Sequence, residues 1–446
     1  MTTPIVDFVR RYADSDTLRL HMPGHKGQGT LGVEALDLTE IQGADSLYEA
    51  DGVIAESERN ASTLFGCPTF YSTEGSSLSI RAMLLLLTRY AKEQGKAPLI
   101  LAGRNAHKAF LNGVALLDLD VEWIYPQEES YLSCTVTAET LKKRLSGMTR
   151  LPVAVYLTAP DYLGNCVDWS ALSAVCHRHG VLLAVDCAHG AYLRFLNPSR
   201  YPMDGGVDIC CASAHKTLPV LTGGAYLHIA KDAPACLAEQ AKQALAVFGS
   251  TSPSYLILQS LDRANAILDG DYPRRLQEFA ERVCVFRRGM EKLGYAFVGD
   301  EPTKLTVKTK AYGYLGTEFA ELLREQGIEC EFADRDYIVL MLTPETGEKG
   351  LERLDLVLRS ISPRPAIDEL PPRPEWLVPV MSVRQATLSP MEKLPVEQCV
   401  DRVLASASVG CPPAVPLAIC GERVDVGVIQ AFSYYGIDHL WIVKNK

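Results

Sequence analysis

The sequence predicts an α/β protein built around a mostly parallel sheet, and two observations predict it. Short apolar runs alternate with helical patterns between about residues 60 and 230, which is how a parallel sheet with crossover helices looks in sequence. The runs are Thr69–Ser72, Leu99–Ala102, Val153–Leu157, Val181–Val185, Val207–Cys211 and Ala225–Ile229. A polar or Gly-containing turn follows nearly all of them. Open α/β sheets gather ligands at those turns, at the carboxyl ends of the strands.

The remaining chain divides by pattern. An N-terminal segment, 1–50, precedes a large domain at 51–271. A smaller α/β domain is expected at 272–362, with a long helix over Leu276–Lys292, strands at Lys304–Lys308 and Tyr337–Leu342, and a helix around Glu318–Gln326. Prolines at 363, 365, 371, 372 and 374 mark a linker, 363–379, because proline lacks the N–H that helices and central strands use. A C-terminal domain, 380–446, follows, with a helix expected over Pro395–Ser406. No internal repeat is present.

With 446 residues, 47% of them hydrophobic in type, the chain can bury a large core. Its net charge of -10, without a dense Lys/Arg run, argues against nucleic acid or an anionic membrane as partner. Residues Met1 to Arg11 mix Asp7 with Arg10 and Arg11 and hold no apolar stretch, so neither a signal peptide nor a spanning segment is expected and a cytoplasmic location is. The thirteen cysteines are odd in number and show no CxxC, and Cys187, Cys210 and Cys211 fall in or beside strand-like runs. They read as reduced, buried thiols, and no metal site is expected.

The chemistry gathers at strand ends. The run Val181–Val185 ends in Asp186, and Val207–Cys211 runs into Ser213-Ala214-His215-Lys216-Thr217. A lysine can form a Schiff base with an aldehyde cofactor, and an aspartate facing a pyridine nitrogen keeps it protonated so that the ring accepts electrons. Either residue alone is as well explained by a solvated loop charge. Gly75, Ser76 and Ser77 lie between a strand and the helix pattern Leu78–Tyr90, where free N–H groups and two hydroxyls suit a phosphate, or form a plain N-cap. His107, in Arg104-Asn105-Ala106-His107-Lys108, follows another strand and either stacks on a planar ring or caps a turn. His189 stands three residues past Asp186 and either orients it or satisfies backbone groups.

Taken together, HMPGHKG (His21–Gly27), RNAHK (Arg104–Lys108), VDCAHGA (Val185–Ala191), SAHKTLPVLTGGAYLHI (Ser213–Ile229) and STSPSYLILQSLD (Ser250–Asp262) resemble the ornithine/lysine/arginine decarboxylase family. VGCPPAVPLAICGE (Val409–Glu422) looks like its terminal domain. The resemblance implies the aspartate aminotransferase-like fold type I and pyridoxal 5'-phosphate as cofactor. It implies that Lys216 carries the cofactor as a Schiff base, Asp186 pairs with the pyridine nitrogen and His107 stacks on the ring. Ser76, Ser77, Ser213 and His215 would hold the phosphate, with Gly75 and His189 beside them, and Lys216 or His215 would return a proton to the substrate Cα. Thr251 would reach the phosphate of a neighbouring subunit, making a homodimer the minimal active unit.

The implied reaction is decarboxylation of a basic L-amino acid, lysine, arginine or ornithine. Aminotransferases and Cβ lyases on this scaffold share the lysine and aspartate, and a non-catalytic regulatory relative is the alternative of another class; HMPGHKG, RNAHK and STSPSY favour the decarboxylase. Glu74, Cys187, Asp161 and Ala414 depart from the family pattern and leave the amino acid open. The chain resembles the family's short form, without the N-terminal response-regulator-like domain.

Overall fold

The computed structural model describes residues 1–126, 133–373, 376–409 and 415–444, so Pro374 and the Pro412-Pro413-Ala414 stretch lie outside the described residues. Seven strands form one mostly parallel sheet: β1 (Thr69–Ser72), β2 (Leu99–Gly103), β3 (Asp120–Ile124), β4 (Ala154–Thr158), β5 (Leu182–Asp186), β6 (Ile209–Ala212) and β7 (Ala225–Ile229). Their order is β1-β7-β6-β5-β4-β2-β3. β2 and β3 pair in parallel, as do β5 and β6, whereas β7 runs antiparallel to both β6 and β1. The apolar runs read from the sequence fall on six of these strands. The seventh, β3, escaped because its Asp120 and Glu122 break the apolar run; at the end of the sheet such a strand stays partly exposed.

The first compact unit comprises Met1–Pro98, Leu151–Val155 and Trp169–Gln277. It contains α1 (Pro4–Ala13), α2 (Val53–Phe65) and α3 (Gly75–Glu93). A buried polar knot joins α1, α2 and the helix Tyr255–Leu268 to β1. Asp262 accepts from the Val6 N–H at 3.0 Å and from Ser57 Oγ at 2.6 Å. Asn265 donates to Tyr71 Oη at 2.7 Å, and Tyr71 pairs with Ser57 at 2.8 Å. Burial pushes the Asp262 carboxyl up to about 6, against the lowering effect of those bonds.

The second unit comprises Leu99–Arg150, Tyr156–Asp168 and Glu278–Lys446. In it α4 (Lys108–Leu117) follows β2, and α5 (Ala138–Ser146) follows β3. A four-stranded antiparallel sheet of β8 (Phe297–Val298), β9 (Lys304–Lys308), β10 (Phe332–Ala333) and β11 (Tyr337–Met341) runs in the order β10-β11-β9-β8. Phe279, Val283 and Met290 of the long helix Tyr272–Glu291 pack with Leu305, Phe319, Leu323 and Ile338 to form its core. A separate core near the C-terminus gathers Leu377, Val396, Leu404, Leu417, Phe432 and Ile442.

The helix expected over Pro395–Ser406 does not form. Pro395 ends β12 (Met391–Pro395), which pairs with a strand at His439–Val443. Val396–Gln398 makes one tight turn, Asp401 takes a left-handed φ of 63°, and Val403 and Leu404 bridge to Arg423 and Ile442. The apolar spacing was real, since Val396, Cys399 and Leu404 are buried. Distant strand partners satisfied that backbone instead, and a short helix has little intrinsic stability to oppose them.

Twelve cysteines are described and all are free thiols. Among the described residues no helix is long and apolar enough to cross a membrane, and no group of side chains could hold a metal ion.

The Asp262 shift has a definite sign. A carboxyl whose folded value lies above its ordinary 3.8 holds its proton more tightly when folded, so its contribution to stability falls as pH rises through about 6. Asp262→Asn removes that dependence. The melting-temperature gap between wild type and variant is therefore expected to be larger at pH 5 than at pH 7.5; thermal unfolding at both checks it, and an equal gap contradicts the assignment.

Candidate active site

Lys216 lies in a single helical turn, α6 (Ala214–Thr217), that starts where β6 ends. Its Nζ is 3.0 Å from His189 Nε2. Ser213 and Thr217 bracket the lysine, and their hydroxyls are buried without hydrogen-bond partners among the described residues. A buried unsatisfied hydroxyl costs roughly 1–3 kcal/mol, so two of them in one short turn point to a polar ligand that satisfies them.

The neighbouring strand supplies the carboxylate. β5 and β6 run parallel with Asp186 opposite Cys211, so both strands deliver their C-terminal residues to one edge of the sheet. Asp186 is 2% exposed and accepts from the Ala188 N–H at 3.1 Å and from the Cys211 thiol at 3.5 Å. Cys187, on the backbone between them, is fully buried.

The third component is the N-terminus of α3. Its first turn holds Gly75, Ser76 and Ser77, and the first N–H groups of an α-helix have no partner within it. The turn preceding β7 fastens this cradle to the lysine turn. Gly223 O accepts from the Gly75 N–H at 2.7 Å, while Gly224 O accepts from the His215 N–H at 3.1 Å and from His215 Nδ1 at 2.9 Å. Gly75 and His215 consequently lie side by side: a Cβ on Gly75 would meet His215 Cε1 at 3.8 Å. Gly223 has φ +103°, and a Cβ there would come within 2.7 Å of Thr73 O, so the turn requires glycine.

His215 is half-buried, and burial together with the nearby Lys216 charge lowers its pKa below the usual histidine value. Its Nδ1 donates to Gly224 O, so the neutral ring presents a bare lone pair at Nε2. Among the other expected residues, Thr251 is exposed, one position beyond Ser250, whose N–H donates to Glu74 Oε1 at 2.6 Å. Glu74 thus ties the STSPSY segment to the start of α3. His107 belongs to the second unit, where it ends the β2 turn and caps α4 by accepting the Ala109 N–H at Nδ1, 3.2 Å. Its neutral ring therefore carries the proton on Nε2.

Asp161 is a buried turn-former, accepting from the Asn165 N–H at 2.9 Å and from Ser133 Oγ at 2.9 Å. In HMPGHKG, His21 pairs with Tyr12 Oη at 2.6 Å and His25 with Asp37 at 3.3 Å. Sequence reasoning missed Thr217 and the Gly223–Gly224 turn as parts of the site. A Gly-Gly pair directly before an apolar run was the available signal for the second; a threonine beside a lysine carries none.

The family model described as Orn/Lys/Arg decarboxylase, major domain, matches residues 3–298. The uncharacterized protein YaaO of Bacillus subtilis is 28% identical over 467 residues, covering 97% of this chain and 94% of that protein. The arginine decarboxylase of the same organism is 27% identical over 457 residues, covering 95% of this chain and 91% of that enzyme. In three dimensions the chain is similar to the lysine decarboxylase of Francisella novicida, with a TM-score of 0.80 at 16% identity over 99% of this chain and 81% of that one. The fold is the aspartate aminotransferase-like fold type I that the sequence motifs implied.

The cradle geometry sets a test. Gly223→Ala is expected to weaken the affinity of the ligand-free protein for pyridoxal phosphate by about tenfold or more, ~1.4 kcal/mol, in a fluorescence titration. Gly95→Ala also places a side chain at a positive φ, +67°, but with nothing within 4 Å, and should leave the affinity unchanged. Equal effects of the two substitutions would show that general destabilisation, not the cradle, is being measured.

Proposed function

The chain belongs to the ornithine/lysine/arginine decarboxylase family and is a pyridoxal-phosphate-dependent amino-acid decarboxylase; on that premise we propose that it decarboxylates a basic L-amino acid, with arginine the first candidate, and that Lys216 carries the cofactor. The observation that supports this most is the lysine turn itself: Lys216 Nζ 3.0 Å from His189, between two buried hydroxyls without partners among the described residues. Arginine comes first because the Bacillus subtilis arginine decarboxylase aligns along 95% of this chain.

In this reading Ser213 and Thr217 and the hydroxyls and backbone N–H groups of Ser76 and Ser77 hold the phosphate, with Gly75 fixed by its bond to Gly223 O. His215 packs beside them, pinned by Gly224. When bound, pyridoxal phosphate supplies an aldehyde for imine exchange with the substrate amine and a protonated ring that accepts the electron pair released at Cα. Asp186 would keep the proton on the ring nitrogen, its carboxylate buried and oriented by the Ala188 N–H. His107 would be the residue that stacks on the ring.

Proton delivery falls to Lys216 rather than His215. A depressed pKa leaves His215 neutral near pH 7, with its Nδ1 proton committed to a backbone carbonyl, so it has no proton to give at Nε2. Lys216, freed when the substrate amine takes its place, is a primary amine next to His189, which orients it. The reaction consumes one proton and leaves an amine and carbon dioxide.

The active unit in this reading is a homodimer, with Thr251 facing the partner's phosphate site. The N-terminal segment supports such an interface, since Leu18, Leu20 and Leu31 are 79%, 82% and 81% exposed. A fully active monomer in sedimentation velocity would remove this part.

Incubating the holoenzyme with arginine, lysine and ornithine tests the substrate. Arginine is expected to give carbon dioxide and its amine with kcat/KM at least about tenfold above the others, and no keto acid. Preference for lysine or ornithine overturns the choice of amino acid, and keto-acid formation overturns the reaction itself.

A further inference from the structure

Two sequence motifs that the reaction leaves unused meet in the second unit. Arg104, three positions before His107, and Glu422, at the end of the C-terminal AICGE stretch, form an ion pair of 2.9 Å with side chains 0% and 1% exposed. Glu422 is fixed in its own domain: its Oε2 also accepts the Ile419 N–H at 2.9 Å, and its backbone carbonyl accepts the Leu404 N–H at 2.9 Å. Arg104 is held on the other side by β3, through its N–H to Ile124 O at 2.9 Å.

A buried ion pair is a poor way to gain stability, because desolvating two charges offsets most of their attraction. This one is less favourable still, since Arg104 Nε and Nη1 are buried without hydrogen-bond partners among the described residues. The rings of Trp123, Tyr125 and Trp376 surround the guanidinium at 5.4, 5.9 and 5.9 Å. Such an arrangement defines direction and place, which apolar packing at the same spot would not.

A second grip lies at the far end of the same element. Arg384, in the short helix Val383–Leu388, donates from Nη1 to Ala115 O at 3.0 Å and Leu116 O at 3.1 Å, carbonyls in the last turn of α4. The C-terminal domain therefore holds α4 just before its start, through Arg104, and at its end. His107 is the N-cap between those points.

We propose that Arg104, Glu422 and Arg384 are positioning residues, a clamp through which the C-terminal domain sets the orientation of His107. The clamp rests on the reading that His107 lies against the cofactor ring. Glu422→Gln keeps the size of the side chain and an acceptor for the Ile419 N–H but removes the charge; Arg384→Ala removes the second grip and sits away from the buried core.

The experiment uses the holoenzyme of wild type, Glu422→Gln, Arg384→Ala, His107→Ala and each clamp variant combined with His107→Ala. Each clamp variant is expected to lower kcat by about tenfold, as a displaced contact group does, with KM within about twofold. The visible circular dichroism of the bound cofactor should shift as it does in His107→Ala, and neither clamp substitution should lower kcat further once His107 is gone. In cofactor-free protein, amide exchange of α4 should accelerate while that of α3 does not.

Clamp variants with wild-type kcat, dichroism and α4 exchange beside an impaired His107→Ala overturn the clamp alone. Losses that add to that of His107→Ala also overturn it. Unchanged dichroism and rate in His107→Ala bring down the reading of His107 on which the clamp rests. Should Glu422→Gln fail to fold, Arg384→Ala carries the same readouts.

Discussion

Because β5 and β6 run parallel with Asp186 opposite Cys211, a carboxylate and, one short turn later, Lys216 must emerge at the same edge of the sheet. Backbone hydrogen bonding imposes this, not attraction between the two side chains. Asp186 is buried and accepts the Ala188 N–H. In the proposed reading it is the group that would keep the cofactor's pyridine nitrogen protonated, so that the strand pairing sets up electron withdrawal.

The rest of the site is attached to that edge by backbone groups. The Gly223–Gly224 carbonyls bind the start of α3 to His215, so the N–H groups of the helix and the lysine turn form one rigid piece. Burial and the nearby Lys216 charge lower the His215 pKa, and its Nδ1 proton is committed to Gly224 O. In the proposed reading this leaves Lys216 as the group that carries a proton to Cα.

What the sequence made legible follows from range. Buried strands announce themselves as apolar runs, and α3 and α6 start directly after such runs, so Ser76, Ser77, Asp186 and Lys216 could be named from short windows. β3 was lost because it lies at the end of the sheet and carries acidic residues. Pro395–Ser406 was misread because partners at Arg423 and Ile442, invisible in a local window, took its backbone into bridges. Thr217 and Gly223 matter only through atoms brought near by folding, and Arg104 meets Glu422 across 318 positions. No spacing rule reaches that far.

The proposed chemistry depends above all on which atom holds the cofactor. Borohydride reduction of the holoenzyme followed by proteolysis and peptide mass spectrometry is expected to place the reduced phosphopyridoxyl group on Lys216 alone, in the peptide Ser213–Thr217. Finding it on another lysine, or finding none while decarboxylation proceeds, would contradict the account.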